Sequence, residues 1–377
     1  MINIKKAFKI KTELLCKGLC LDRNLENHYY QQGLSYGRKG GAGPLGGRYF
    51  LLEDNKTLVN VALWDDPEKT NLVLKEKKGD FFEVFNFQDN NFYGKLKLVP
   101  DPKFYNPEFK TSDGVEMKKI ALVHGVDCLA STIYQKCKYW ACGEACKFCG
   151  IELSLKYDTT IEEKNYKQMN EVIAQAKREG RCNHMTLTSG TEESEDKGAQ
   201  RYIELLKGIK KENPNLPLHI QIEPIEELSL INQLKEAGAD TIGIHIEILD
   251  KNIREIITPG KANIPYELFE INWKQALDIF GKNQVSTFIL TGFEDPIDDF
   301  ITDLERIIAL GVIPFITPVR SIPNMKDLPV TNYNILLDKY IKAAKMMKHY
   351  GVNPLKNKAG CVRCGGCSAI NEAYLAV

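Results

Sequence analysis

An excess of charge of either sign is missing from this 377-residue chain: Lys and Arg number 50, Asp and Glu number 50, and the formal net charge is zero. Proteins that hold nucleic-acid phosphates carry a basic surplus, so no nucleic-acid partner is expected. Also missing is any apolar run of membrane-spanning length, about 20 residues, so no membrane partner is expected either. The first ten residues alternate apolar and basic side chains and contain no apolar signal core. Without an export signal the eleven cysteines read as those of a reducing compartment. There, close cysteine spacing means metal or redox chemistry rather than disulfides. A cytoplasmic location is the expectation.

The thiols that are present are clustered. Cys142, Cys146 and Cys149 stand in A-C-G-E-A-C-K-F-C-G, a C-x3-C-x2-C spacing with Phe148 just ahead of the third thiol. Three close thiolates can ligate three irons of a 4Fe–4S cube and leave the fourth iron for a small molecule. Zinc is the rival reading, but it takes four closed ligands in paired spacings. Near the end, Cys361, Cys364 and Cys367 in K-A-G-C-V-R-C-G-G-C-S again offer three ligands, with glycines that allow tight wrapping. Two readings stand for them: an auxiliary 4Fe–4S cluster, or a zinc knot completed elsewhere. The fourth iron of such a cluster is free for substrate, bound by Ser368, or bound by a thiol among Cys16, Cys20, Cys128, Cys137 and Cys182. Cys137 is also near enough to Cys142 to substitute for a member of the first triplet.

By texture the chain divides at about residue 117. Residues 1–117 are rich in Gly, Asn, Asp, Lys and aromatics, and they predict a mostly β accessory unit. The glycine-dense stretch Lys39 to Gly47 reads as a tight turn; a phosphate cradle is the alternative, but no Lys-Ser/Thr ending and helix follow. Residues 118–350 alternate short apolar strands with amphipathic helices, the mark of a parallel sheet. The strands are predicted at 121–134, 185–189, 218–222, 241–246, 285–290 and 312–317, which makes three quarters of a β/α barrel. Residues 351–377 form a cysteine-bearing tail. In barrels of this class chemistry gathers where strands end and βα loops begin. Period-2 alternation in the fourth strand puts Gly243, His245 and Glu247 on one face. His245 or Glu247 is then a binding or proton-transfer group, or His245 is simply satisfied inside the barrel.

The first triplet, lying in the loop after the first of these strands, resembles the signature of the radical S-adenosylmethionine (SAM) superfamily, in the biotin, lipoyl and thiazole synthase branch. The resemblance implies an α/β protein with a partial (β/α)6 TIM-like barrel, a small mostly β N-terminal extension and a C-terminal cluster-binding tail. It implies that SAM docks on the open iron and is split to a 5′-deoxyadenosyl radical, which takes hydrogen from a small substrate. Ser189, Gly190 and Thr191 stand where the family has a glycine–glycine–glutamate element, although T-S-G-T matches it only by position. Glu223 closes the third strand at the barrel mouth. Gly292 and Glu294 fit the G-x-x-E-like residues that flank adenine, and Pro318 lies in the strand that contacts adenine. The stretch R-E-I-I-T-P-G-K resembles the loop after strand four in biotin and lipoyl synthases, which makes Arg254 a candidate carboxylate ligand, with a surface salt bridge as the alternative. The whole chain also resembles uncharacterised radical SAM proteins encoded beside nitrilases, a likeness that brings no substrate.

The resemblance therefore implies SAM and two 4Fe–4S clusters as cofactors, with an electron donor such as flavodoxin or ferredoxin. The auxiliary cluster has two roles to choose from. As a sulfur donor it would form C–S bonds in a small-molecule or carrier-protein-bound substrate, as in lipoyl and biotin synthases. As an electron conduit it would serve radical oxidation or rearrangement of a small nitrogenous or amino-acid-like metabolite. The non-enzymatic reading is a cluster-carrying scaffold that never cleaves SAM.

Overall fold

The computed structural model describes residues 2–22, 47–64, 67–293, 297–320 and 331–377. Most of the glycine-dense stretch, 39–46, and the adenine-flanking candidate Glu294 lie outside the described residues. The chain opens with a helix, Ile4–Lys17, capped by the Asn3 side chain, which accepts from the Lys6 N–H. A small closed barrel follows, made of β1 (Leu19–Leu21), β2 (Gly47–Leu52), β3 (Leu58–Trp64), β4 (Leu72–Lys78), β5 (Phe81–Asn86) and β6 (Asn91–Leu98). Its interior is filled by alternate residues such as Phe50, Val59, Val61, Leu74 and Val84, all buried, as the pleat requires. Closure leaves no free strand edge.

The second sheet has seven strands in sequence order: β7 (Leu122–His124), β8 (Cys128–Thr132), β9 (His184–Thr188), β10 (Leu218–Ile222), β11 (Thr241–Ile244), β12 (Val285–Thr291) and β13 (Ile313–Pro318). From β8 to β13 every pairing is parallel. Helices return each crossover, among them Tyr166–Arg178, Ala199–Glu212, Tyr266–Phe280 and Ile297–Leu310. This is the partial β/α barrel that the periodicity predicts. The expected long first strand is instead a hairpin, with β7 antiparallel to β8. Gly125 breaks it by taking a left-handed φ of 62°, which costs glycine little and other residues more. No helix among the described residues is long and apolar enough to cross a membrane.

The C-terminal segment crosses the starts of the barrel strands and then rises beside β13. Asn357 donates to the Asn283 carbonyl (2.8 Å), Thr241 to the Ala359 carbonyl (3.4 Å), and the Gly360 N–H to His184 Nδ1 (3.0 Å). Further on, Thr317 donates to the Cys367 carbonyl at 2.9 Å. The N-terminal unit clamps this tail from the other side. The Asn60 N–H donates to the Gly366 carbonyl at 2.7 Å, and the fully buried Lys11 ammonium reaches both the Gly365 carbonyl (2.8 Å) and the Glu372 carboxylate (2.9 Å). Removing one partner of a buried ion pair strands the other, so Lys11→Ala is expected to lower stability by about 3 kcal/mol. Urea denaturation followed by circular dichroism measures this, and a loss within error of zero would show that the clamp contributes nothing.

Candidate active site

Alternate residues of the parallel strands face a cavity of about 260 Å³. At the C-terminal ends of the strands its wall includes Cys146, Phe148 and Cys149 together with Cys137, and the loop Ser189, Gly190 and Thr191. Where the tail enters, the same cavity is lined by Cys361, Cys364 and Cys367. Two thiols of the first triplet and all three of the second therefore address one space. Among the described residues no three His, Cys, Asp or Glu side chains converge as they would on a single ion.

In the first triplet, Cys146 and Cys149 are turned to the cavity, whereas Cys142 sits on the exposed rim. Its thiol lies 3.7 Å from the Tyr139 carbonyl. Cys137 occupies the wall instead, its N–H held by Glu152 at 3.1 Å. Burial pushes Cys149 up to about 11 and Cys146 well above the usual thiol value, the latter partly offset by Lys261. Buried thiols of this kind are protonated until a metal displaces the protons. The donor set suits an iron–sulfur group: two inward thiols, a third on the same short C-x3-C-x2-C loop, and a lysine charge beside Cys146.

Lys261 is the residue that sequence reasoning passed over, although it ends the stretch quoted for Arg254. Its ammonium contacts both Glu247 oxygens, at 2.8 and 3.0 Å. Burial alone would lower its pKa, but Glu247, Cys146 and Glu223 lift it well above the ordinary lysine value. Glu247 presents its carboxylate from a left-handed backbone, φ 62°, which is uncommon outside glycine. Nearby, Tyr139 donates to Glu223 Oε1 at 2.6 Å, while Glu223 Oε2 is buried with no partner among the described residues.

His245 lies deeper. Its Nδ1 accepts from the Phe288 N–H at 3.1 Å, and its ring stacks on Phe288 with centroids 4.2 Å apart. Phe288 in turn stacks on Phe315. Burial holds His245 well below the ordinary imidazole value. A neutral ring whose Nδ1 accepts carries its proton on Nε2, and that atom has no partner among the described residues. The alternation of Gly243, His245 and Glu247 thus delivers both polar side chains to the cavity.

Arg254 goes elsewhere. Its guanidinium donates to the Ile248 and Ile264 carbonyls, at 3.3 and 3.2 Å, and does not line the cavity. It braces the loop after β11 rather than meeting a ligand. Pro318 lines the cavity, whereas Gly292 packs against Val319 and Thr331 away from it. Ser368, a candidate for the second triplet, donates to the Ile316 carbonyl and neighbours the Tyr340 hydroxyl.

The second triplet has its own polar partners, none of them legible in the sequence because they come from distant strands. Gln221 donates to Cys361 Sγ at 3.6 Å, and Tyr49 Oη lies 3.8 Å from Cys367 Sγ. Arg320 is half-buried beside Cys367 and donates to Asn60. Burial pushes Cys367 up to about 12.

Gly190 gives this site a sharp test. A Cβ there would stand 1.8 Å from the Lys136 carbonyl oxygen, a backbone contact that cannot yield by a rotamer change. Gly190→Ala is expected to displace Ser189 and Thr191 and weaken SAM binding by roughly tenfold or more, about 1.4 kcal/mol. Equilibrium binding measures it, and unchanged affinity would remove the loop from the site.

Residues 140–307 match the profile of the Radical SAM superfamily. Among solved structures, the FeFe-hydrogenase maturase HydG from Carboxydothermus hydrogenoformans is 17% identical, with 62% of this chain and 53% of that one covered and a TM-score of 0.43. A second HydG structure is 14% identical over 60% of this chain and 51% of its own, with a TM-score of 0.44. An active domain of a thermostable chitinase from Pyrococcus furiosus is 12% identical over 50% of this chain and 68% of its own, at a TM-score of 0.33. The chain spans about half the length of the HydG chains it matches. No curated protein matches the sequence. The matched residues, a little under half of the chain, carry the first cysteine triplet and the strands from β9 to β12.

Proposed function

We propose that this protein is a radical SAM enzyme that forms C–S bonds in a small substrate, with a second iron–sulfur cluster on Cys361, Cys364 and Cys367 as the sulfur donor. With SAM bound, a 4Fe–4S cluster on Cys142, Cys146 and Cys149 supplies a 5′-deoxyadenosyl radical, using an electron from a flavodoxin- or ferredoxin-like donor. The substrate C–H bond would break with its hydrogen going to the 5′-deoxyadenosyl group, and the carbon radical left would bond to a sulfide of the second cluster, with one iron of that cluster taking the remaining electron and the Fe–S bonds to that sulfide breaking.

The residues divide the remaining work. The loop Ser189–Thr191 and Pro318 form the wall against which SAM lies. Lys261 sets a fixed positive charge beside Cys146 and engages Glu247, which is therefore not a free base. Glu223 keeps one unpartnered oxygen among the described residues, an acceptor for the SAM ammonium or ribose hydroxyl. His245 offers an Nε2–H donor, and Phe288 and Phe315 supply an apolar wall that excludes water.

The observation that supports the reading is that Cys146 and Cys149 of the first triplet and all three thiols of the second line one cavity. Electron transfer tolerates protein between substrate and cluster. Sulfur transfer needs van der Waals contact between the substrate carbon and the sulfur, which a shared cavity permits.

The test is an anaerobic incubation of protein reconstituted with isotopically heavy sulfide, together with SAM, reductant and either dethiobiotin or octanoylated carrier protein. Heavy sulfur in the product, with a single turnover per chain and sulfide lost from the protein, is the expected result by mass spectrometry. Repeated turnover with no sulfur lost would move the second cluster to electron transfer instead. The first site yields a separate expectation. Cys142→Ala should abolish the SAM-dependent change in the reduced protein's electron-paramagnetic signal, whereas Cys137→Ala should keep it. The reverse pattern would make Cys137 the ligand.

A further inference from the structure

We propose that Cys128 is the fourth protein ligand of the cluster held by Cys361, Cys364 and Cys367, so that this second site is closed. The inference rests on the proposed reading that the C-terminal triplet holds a 4Fe–4S cluster. Cys128 opens β8 and is 1% exposed. It pairs with His124 across the hairpin and with His184 of β9. Its thiol neighbours that of Cys364. The hairpin turn is drawn in against the same thiol: a Cβ on Gly125 would lie 3.1 Å from Cys364 Sγ.

The other candidates are placed elsewhere. Ser368 is spent on the Ile316 carbonyl. Cys137 lines the cavity beside Cys146 and Cys149. Cys16 lies in the N-terminal helix with Arg320, Glu13 and Lys17 as its charged neighbours, and Cys182 has Lys177 and Asp127. Cys20 belongs to β1. Around the four thiols stand two cations, the half-buried Arg320 beside Cys367 and the buried Lys11 near both Cys364 and Cys367. An array of four thiolates on an iron–sulfur cube is anionic, and buried positive charge is what such a group requires.

The chemical consequence concerns how a substrate meets this cluster. Four thiolates satisfy four irons, so no iron is vacant for a substrate nitrogen or carboxylate. Contact runs through the bridging sulfides alone. The two sites then differ in kind: the first is open at one iron for SAM, and the second is closed.

The experiment isolates the second site in the full chain carrying Cys142→Ala, Cys146→Ala and Cys149→Ala. After anaerobic reconstitution this parent is expected to hold about four irons and to show a cube with uniform thiolate ligation by Mössbauer spectroscopy. Adding Cys128→Ala should lower the count to about three and give, on oxidation, the electron-paramagnetic signal of a cube lacking one iron. Adding Cys128→Ser instead, which preserves volume, should give one iron site with a distinct isomer shift. Circular dichroism confirms that each variant keeps its fold. A Cys128→Ala or Cys128→Ser protein with the parent's iron content and Mössbauer spectrum overturns the assignment of Cys128. A parent that takes up no iron–sulfur cluster overturns the earlier reading of the C-terminal triplet instead, so the two failures are distinguishable.

Discussion

The structure depends on the docking of the C-terminal tail into the open side of the parallel sheet. A partial barrel has two edges and a lumen exposed between them, a liability that proteins cover with other chain segments. Here the tail supplies the cover. It is fixed along the strand starts by Asn357, Ala359 and Gly360, and beside β13 by Cys367 and Ser368. The N-terminal unit holds it down through Lys11 and Asn60. This accounts for the N-terminal barrel in physical terms. It does not extend the parallel sheet but presses Cys361 to Cys367 against the cavity.

The lumen behind this cover is organised by what it does to charge. Burial pushes His184 down to about 4 and His219 down to about 3, and it depresses His245 as well. Three histidines lining the strand interiors are thus neutral near pH 7 and act as hydrogen-bonding groups, not as cations. The positive charges that persist are Lys261, lifted by Glu247, and Arg320, held by Asn60. Each stands next to a cysteine of one triplet. Positive charge therefore enters the cavity where thiolates would form.

Local patterns were readable and non-local ones were not. The spacing around Cys142, the alternation of His245 and Glu247, and the strand–helix rhythm all follow from neighbours within a few residues, so the sequence carries them openly. Arg254 was misplaced because a motif says which residue stands in a loop, not whether its guanidinium turns to backbone carbonyls such as Ile248 and Ile264. Ser368, one of several alternatives for the fourth iron, shows the same limit: adjacency to Cys367 does not say that its hydroxyl donates to the Ile316 carbonyl. Tyr49 and Gln221 come from strands of two different sheets and Arg320 from just beyond β13, and no local signal joins them.

The same contrast separates the two cysteine triplets. The first is assembled from one short loop, so its thiols are near one another before the rest of the chain folds. The second needs the hairpin of β7 and β8, the rising tail and the N-terminal clamp to meet. When a preformed site is absent from the unfolded chain, binding free energy at that site is also folding free energy. A metal group on the second triplet would therefore tie the N-terminal unit, the barrel and the tail into one cooperative structure, whereas loading of the first leaves that architecture to its hydrophobic core.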